Sequence, residues 1–516
     1  MAKFNKTAVR PAATGPITTT GRARTHEGGA GAVRDPKGEL FLLAVANMAG
    51  EDTFYEAAGD RDARFAALVQ RVAVADPQWI TDFLGWLRTG ANMRSASLVG
   101  AAEAARALLT AGQPGGRRLI SSVLQRADEP GELLGYWTSR YGRALPKPVK
   151  RGLADAVQRL YTEFSLLKYD TGSKGFRFAD VIELVHPVAA TPAQGEVFKH
   201  ALDRRHNRPF PPAPDLRMIS ANAALRSAAA DDPTALLNTE SLRAAGLTWE
   251  DALSLTGSRV AKGKLWTALI PTMGYMALLR NLRSFDEAGV SDSVAEVICA
   301  RLSDPAEVAR SRQFPFRFLS AHRAAPSLRW GHALDKALTA SLANVPVLPG
   351  RTLVLVDRSG SMFYGTSRNA RLTNADAAAI FGTAVAMRNL GRADLVQFGS
   401  SAKRVDVRAG ESLLRIVDRF GDLGGTNTLA AVQRFYNRHD RVLIVTDEQA
   451  HAGQGNPGSA LPPTVPLYTW NLAGYRPGHG PAGPYRHTFG GLTDAAFRLV
   501  PLLESGANGN WPWKTA

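Results

Sequence analysis

Cysteine is almost absent. Cys299 is the only one in 516 residues, which excludes disulfides, cysteine zinc sites and iron–sulfur clusters and suits a reducing, cytoplasmic setting. Long apolar runs are missing as well: none approaches the ~20 residues of a membrane span, and residues 1–25 lack the apolar core of a secretion signal. Those residues are basic and rich in Thr, Ala and Gly, and they read as a flexible arm that could touch RNA. Acidic residues are in deficit. There are 46 Asp and Glu against 62 Lys and Arg, a formal charge of +16 and a pI near 10.1. Such a field favours a polyanionic partner, nucleic acid first and anionic membrane second; the bland alternative is a basic surface kept for solubility. From Arg351 onward 18 Lys and Arg face 12 Asp and Glu, so +6 lies there and +10 in the rest of the chain.

What is present is a globular composition, 45% hydrophobic and 21% charged, in a chain too long for one ordinary core. From about Pro36 to Ala343 the apolar spacing is helical almost throughout. Phe65, Leu68, Val69 and Val72 form one stripe; Trp79, Ile80, Phe83, Leu84 and Leu87 form the next. An acid followed by proline recurs at Asp35-Pro36, Asp76-Pro77, Asp232-Pro233 and Asp304-Pro305, the pattern of an N-cap with proline at the first helical position. Successive amphipathic helices with no strand pattern predict an all-α, HEAT-like helical-repeat ring or solenoid. Val345 to Gly350 reads as a linker. Beyond it, apolar strands and helices alternate. The expected strands are Leu353–Val356, Ala393–Phe398, Val442–Thr446 and Val465–Trp470, with helices at Ala375–Leu390, Leu413–Phe420, Leu429–Asn437 and Leu492–Leu503. This order predicts a Rossmann-like, doubly wound parallel α/β sheet. The expected domains are thus a flexible arm at 1–25, the helical ring at 26–344, a linker at 345–350 and the α/β domain at 351–516.

The first α/β strand runs into Asp357, Ser359 and Ser361. In an open sheet, ligands sit at the carboxyl ends of the strands. Gly424-Gly-Thr426 before one helix and Thr446-Asp447 at the end of another strand would share that edge. Asp357, Ser359, Ser361, Thr426 and Asp447 are five hard-oxygen side chains, the donor type for Mg2+ or another divalent cation rather than zinc. With only two carboxylates the ion would stay electrophilic, and an open position could take an acidic side chain or a phosphate oxygen. Two other readings remain: Asp357 simply caps a turn, or Asp357 and Asp447 serve a nuclease, for which no second metal or general base is apparent.

Basic side chains also cluster. Arg140, Arg143, Lys147, Lys150 and Arg151 straddle Pro146, and Lys147, Lys150 and Arg151 share one helix face. Lys168, Lys174 and Arg177 surround the loop Thr171–Gly175, and His186 ends the following helix. Such groups neutralise phosphates, and a loop adapts to a bent RNA. Equally, the run would serve as a solvated helix face, and His186 as a capping or core histidine.

Two resemblances follow. The order Asp-x-Ser-x-Ser, Gly-Gly-Thr, Thr-Asp resembles the metal-ion-dependent adhesion site (MIDAS) of von Willebrand factor A domains. Leu247-Thr-Trp-Glu-Asp-Ala-Leu253, Met276-Ala-Leu-Leu-Arg-Asn-Leu282 and Gln313-Phe-Pro-Phe-Arg-Phe-Leu319, with Lys168-Tyr169 and Leu184-Val-His186-Pro187, resemble the TROVE module of Ro ribonucleoproteins. That family joins a helical ring to an A domain in this order. The resemblance implies an RNA-binding protein and not an enzyme, acting in RNA quality control. It implies a small noncoding Y-like RNA on the ring's outer face and the single-stranded ends of misfolded RNA in its hole. It also implies a tether to the exoribonuclease polynucleotide phosphorylase. Lys168 and His186 match positions tied to Y RNA. Lys174 matches loosely, because the loop after Tyr169 differs in length. Arg94, Arg280 and Arg283 are candidates for the hole, and each would equally serve a structural role. The rival expectation is a metal-dependent protein-interaction adaptor working through the A domain.

Overall fold

In a computed structural model of the chain, the described residues are 14–46, 53–173, 175–208, 211–313, 315–343, 345–365, 372–478, 480–491, 494–506 and 510–514. They form two compact units. One comprises Val69–Gln313 with Ala321–Ala337, the other Met1–Leu68, Phe314–Ser320 and Leu338–Ala516.

The first unit is helical, as the apolar spacing requires. Helix Pro77–Thr89 buries Trp79, Ile80, Phe83, Leu84 and Leu87. Its start is fixed by Asp76, whose carboxylate accepts the Trp79 N–H at 3.0 Å. Asp304 caps helix Pro305–Ser311 through the Ala306 N–H at 2.8 Å, whereas Asp232 opens only a short 3-10 turn, Pro233–Leu237. Helices Gly116–Val123 and Lys147–Leu160 lie backbone to backbone, for a Cβ on Gly152 would stand 2.7 Å from the Arg117 carbonyl oxygen. The row of helices returns to its start: the Arg312 guanidinium donates to the Thr89 carbonyl at 2.8 Å.

The second unit is built on strands. They are β1 (Thr19–Arg24), β2 (Ala30–Arg34), β3 (Thr352–Asp357), β4 (Ala393–Phe398), β5 (Ala402–Arg404), β6 (Arg441–Thr446), β7 (Leu467–Asn471), β8 (Pro477–Gly478) and β9 (Arg486–Gly490). The main sheet has the order β5-β4-β3-β6-β7-β9, parallel except for the short antiparallel β5. Central β3 is buried along its whole length. Leu353 and Leu355 pack on one face with Val396, Phe398, Val442, Ile444 and the helical Ala431 and Val432. On the other face helix Asn374–Arg388 presses so close that a Cβ on Gly382 would collide with the Val356 side chain. The strand order reverses at β3, between β4 and β6, so the carboxyl end of β3 is the topological switch point where such sheets bind ligands.

The expected boundaries change in three places. Residues 19–24 of the supposed arm are strand β1, paired with β2, which pairs in turn with β8; residues 1–13 lie outside the described residues. Residues 26–68 join the sheet unit, not the helical one. The reason is helix Pro36–Ala46, where Leu40, Phe41, Leu42, Leu43, Ala44 and Val45 are all buried. A helix apolar on every side cannot keep one wet face. It settles against β9 and its flanks, where a Cβ on Gly491 would lie 2.6 Å from the Val45 carbonyl oxygen. Finally, Val345–Gly350 is pinned rather than loose. Val345 and Leu348 are buried, and the Leu348 N–H donates to Asn389 Oδ1 at 2.6 Å.

Candidate metal centre and nucleic-acid interface

The five residues proposed as cation ligands converge. Asp357, Ser359, Ser361, Thr426 and Asp447 are all buried. Asp357 sits at the end of β3, and Asp447 directly follows β6. Their carboxyl ends lie side by side because β3 and β6 pair in parallel from Thr352/Arg441 to Val356/Val445. The serine loop is held by the glycine loop: the Gly360 N–H donates to the Gly424 carbonyl at 2.7 Å, and the Leu423 N–H to the Arg358 carbonyl at 2.9 Å. Gly424 has φ +72°, a left-handed turn that glycine adopts freely. The Ser359 and Ser361 hydroxyls lie 3.4 Å apart.

Asp357 Oδ1 accepts the Ser359 N–H at 2.8 Å and Oδ2 the Thr446 hydroxyl at 2.5 Å. Asp447 Oδ1 accepts the Gln449 N–H at 3.1 Å, but its Oδ2, although buried, has no hydrogen-bond partner among the described residues. Burial raises the Asp357 carboxyl against the opposing pull of the Thr446 and Ser359 hydrogen bonds. Burial, and then the charge of Asp357, push Asp447 up to about 7. Two adjacent buried carboxylates and an orphaned oxygen are the donor set a small divalent cation would neutralise. Among the described residues no group of three or more His, Cys, Asp and Glu is placed to hold a metal. That accords with a site in which hydroxyls supply most of the oxygens.

The basic residues are distributed more unevenly. Helix Lys147–Leu160 begins with Lys147, Lys150 and Arg151, has no acid in its first turn and lacks a side-chain N-cap. Among the described residues, Arg143, Lys147, Lys150 and Arg151 form no ion pair. Arg140 lies 3.4 Å from the buried Glu103. Lys168 is exposed, its ammonium over the rings of Phe164 and Tyr169 at 5.5 and 5.3 Å, while Arg126 covers Tyr169 at 5.4 Å. His186 caps its helix in the left-handed region at φ 51° and is exposed. It does not join the Lys147 end: Gln158 bonds to the nearby Val188 carbonyl at 3.2 Å, roughly 15 Å along the helix from Lys147 at 1.5 Å per residue.

Two candidates are bound up in structure instead. Arg177 pairs at 2.8 Å with Asp170, a buried acid that also accepts the Phe178 N–H at 2.9 Å. Arg94 bridges Glu129 at 3.0 Å, Asp128 at 3.5 Å and Glu132. Both guanidiniums pair with buried carboxylates, the structural role that was the alternative for Arg94. Arg283 pairs with Glu287 one helical turn away at 2.7 Å, and Arg280 is exposed. Lys174 lies outside the described residues.

Sequence reading missed Arg117, Arg118 and Arg159. With Asp155 and the Ser121–Gln125 turn they line a groove of about 430 Å3 between the two closely packed helices. The Arg117-Arg118 pair opening a helix was the available signal. Their meeting with Arg159 depended on the approach at Gly152, which no local pattern reveals.

Residues 243–330 match the family model of the TROVE domain. The RNA-binding protein RO60 of Deinococcus radiodurans is 25% identical over 311 residues, 56% of this chain and 56% of that protein. The matched part of the chain is thus similar to the TROVE domain, and a longer stretch is similar to a Ro protein. The TROVE match contains the motifs around Trp249 and Arg280, whereas Lys168 and His186 precede it. Telomerase protein component 1 of Rattus norvegicus and of Mus musculus is 44% identical to this chain over 77 residues, 14% of the chain but 3% of those proteins. The chain therefore matches little more than half the length of the bacterial relative and a small fraction of the mammalian ones. The crystal structure of the Deinococcus radiodurans RO (RSR) protein aligns with a TM-score of 0.60 at 20% identity, covering 92% of this chain and 100% of that one, so the fold is shared.

Proposed function

We propose that this chain is an RNA-binding protein of the Ro type. It holds a small structured, Y-like noncoding RNA on its basic helical surface and takes single-stranded ends of misfolded RNA, as an RNA quality-control factor. The observation that carries this reading is the start of helix Lys147–Leu160. A helix N-terminus carries partial positive charge and usually attracts acids. Here Lys147, Lys150 and Arg151 crowd the same turn without an acidic partner, an arrangement that an RNA phosphate stabilises and that costs folding energy without one. The Arg117–Arg118 groove extends the surface, and the Lys168–Tyr169–Arg126 stack offers aromatic and cationic faces to an unpaired base. A tether to polynucleotide phosphorylase through the bound RNA belongs to the same reading.

The test is fluorescence anisotropy with a labelled hairpin RNA bearing a single-stranded tail, at 50 and 200 mM salt. The Lys147→Ala/Lys150→Ala/Arg151→Ala variant should bind more weakly and lose roughly one unit of log–log salt slope per phosphate contact removed. Absence of salt-dependent binding by the unaltered chain would sink the proposal.

A second reading is favoured by the orphaned Asp447 oxygen. In it, Asp357, Ser359, Ser361, Thr426 and Asp447 would hold Mg2+ or another divalent cation in a MIDAS-like centre. The cation would supply an electrophilic docking point for a partner's acidic side chain, making the sheet unit a metal-dependent adaptor. The two readings use different units and are separable: Asp357→Ala should abolish cation binding and leave RNA affinity unchanged.

A further inference from the structure

The turn between β1 and β2 ends beside the metal centre. Thr25 Oγ1 donates to the Ala450 carbonyl at 2.6 Å, the His26 N–H to Gln449 Oε1 at 3.0 Å and the Gly29 N–H to the Ala450 carbonyl at 3.2 Å. These partners lie in the loop immediately after Asp447. The docking is close, because a Cβ on Gly29 would stand 2.9 Å from the His451 carbonyl oxygen. It sets the Glu27 carboxylate 3.1 Å from His451 Nδ1. The His451 ring in turn lies against Gly425, where a Cβ would be 3.1 Å from its Nε2, next to the proposed ligand Thr426.

Tyr55 closes the other side. Its ring stacks on His26 at 5.2 Å and stands edge-on to Tyr475 at 5.2 Å. Its hydroxyl interacts with Glu27 and with Ser361, and Asp447 is near enough for its charge to be felt there. One phenol thus links an acid of the first hairpin to a hydroxyl of the metal centre, with the unpartnered Asp447 oxygen beyond it.

We propose that Glu27, presented through Tyr55, is an internal acidic occupant of the outer shell of the metal centre, covering from within the chain the approach a partner's carboxylate would take. This rests on the divalent-cation reading above. Asp357 and Asp447 alone would balance the charge of a divalent cation and leave its open side to water or to an incoming acid. Glu27 is the acid that the docked hairpin turn brings to this side of the sheet, 3.1 Å from His451 Nδ1. It is also part-exposed, so it can swing aside without unfolding the hairpin. The centre is therefore closed at rest, and an acidic partner must displace the Glu27–Tyr55 pair to engage it.

Mn2+ titrated into the full chain tests this, read by calorimetry and by water-proton relaxation of the bound ion. Asp357→Ala should lose binding. Glu27→Gln and Tyr55→Phe should each weaken it about tenfold, the usual effect of removing an outer-shell partner, and should raise the relaxation as water gains access. Added acetate should restore affinity to Glu27→Gln and do little for the unaltered chain. If Glu27→Gln and Tyr55→Phe match the unaltered chain in affinity and relaxation while Asp357→Ala loses Mn2+, the internal occupant is overturned and the metal centre stands. If the unaltered chain fails to bind Mn2+, or Asp357→Ala binds as well, the metal reading falls and takes the occupant with it.

Discussion

His487 illustrates how burial decides the behaviour of a single side chain. It is 3% exposed, stacks on Tyr468 at 5.3 Å, and neither ring nitrogen has a hydrogen-bond partner among the described residues. Burial, reinforced by the charge of Arg486, lowers it to about 4. Its folded-state affinity for protons is below that of the unfolded chain, so its contribution to stability is complete above the unfolded value near 6.5. That contribution is lost as the pH falls toward 4. Urea unfolding followed by circular dichroism should therefore show a loss on the order of 3 kcal/mol from this residue across that window, and His487→Phe should flatten it. Arg94 makes a different prediction. Removing it still leaves Arg126 on Asp128 and Arg88 on Glu129, so Arg94→Ala should cost only the lost charged hydrogen bonds, about 1–2 kcal/mol of stability. The folded variant should bind RNA as before. That the five candidate ligands would share one sheet edge was legible in the sequence because each sits at a strand end or a glycine turn, positions that local pattern fixes; whether they bind a cation is the proposal. Glu27 and Tyr55 were not legible, since nothing local ties either of them to Ser361, which lies over 300 residues further along the chain.

At the scale of elements, strand β3 and helix Asn374–Arg388 depend on one missing side chain. Gly382 lets the helix rest on Val356, and its φ is an ordinary helical one that alanine would accept. Only the space forbids it. Gly382→Ala should destabilise the sheet unit by about 1–3 kcal/mol through overpacking, read from the urea midpoint, even though alanine is the better helix former. The buried parallel strands and the Asp-Pro helix starts were visible in advance because apolar runs and capping chemistry are local. Strand β9 was not. Arg486-His-Thr-Phe-Gly490 carries a charge, a histidine and a glycine, and it becomes a strand only because β7 offers a parallel edge. Likewise helix Pro36–Ala46 was read correctly as helix and assigned to the wrong unit. Its uniformly apolar surface was the available clue to burial on all sides.

At the scale of the whole molecule, the helical and sheet units have separate cores, and a cation would stabilise only one of them. Hydrogen exchange read by mass spectrometry should show β3 and β6 peptides gaining protection when Mg2+ is added. The gain should be about 2.7 kcal/mol at a free concentration of one hundred times Kd, with peptides of helix Lys147–Leu160 unchanged; equal gains in both would contradict the assignment. No helix among the described residues is long and apolar enough to cross a membrane. The sheet unit is also discontinuous in sequence, and that has a consequence for how the chain is made. Arg34 in β2 donates to the carbonyl of Tyr475 and pairs with Glu448, both more than 400 residues further on. At ribosomal speeds of roughly 5–20 residues per second, the first hairpin emerges on the order of tens of seconds before the strands that receive it. Throughout that interval the helical unit can fold from local contacts alone, while β2 waits with an unpaired edge open to pairing with other chains. A hairpin translated hundreds of residues before its partners is thus among the last parts to find its place, and translation rate and early chaperone capture should govern the yield of this protein more than the stability of either unit.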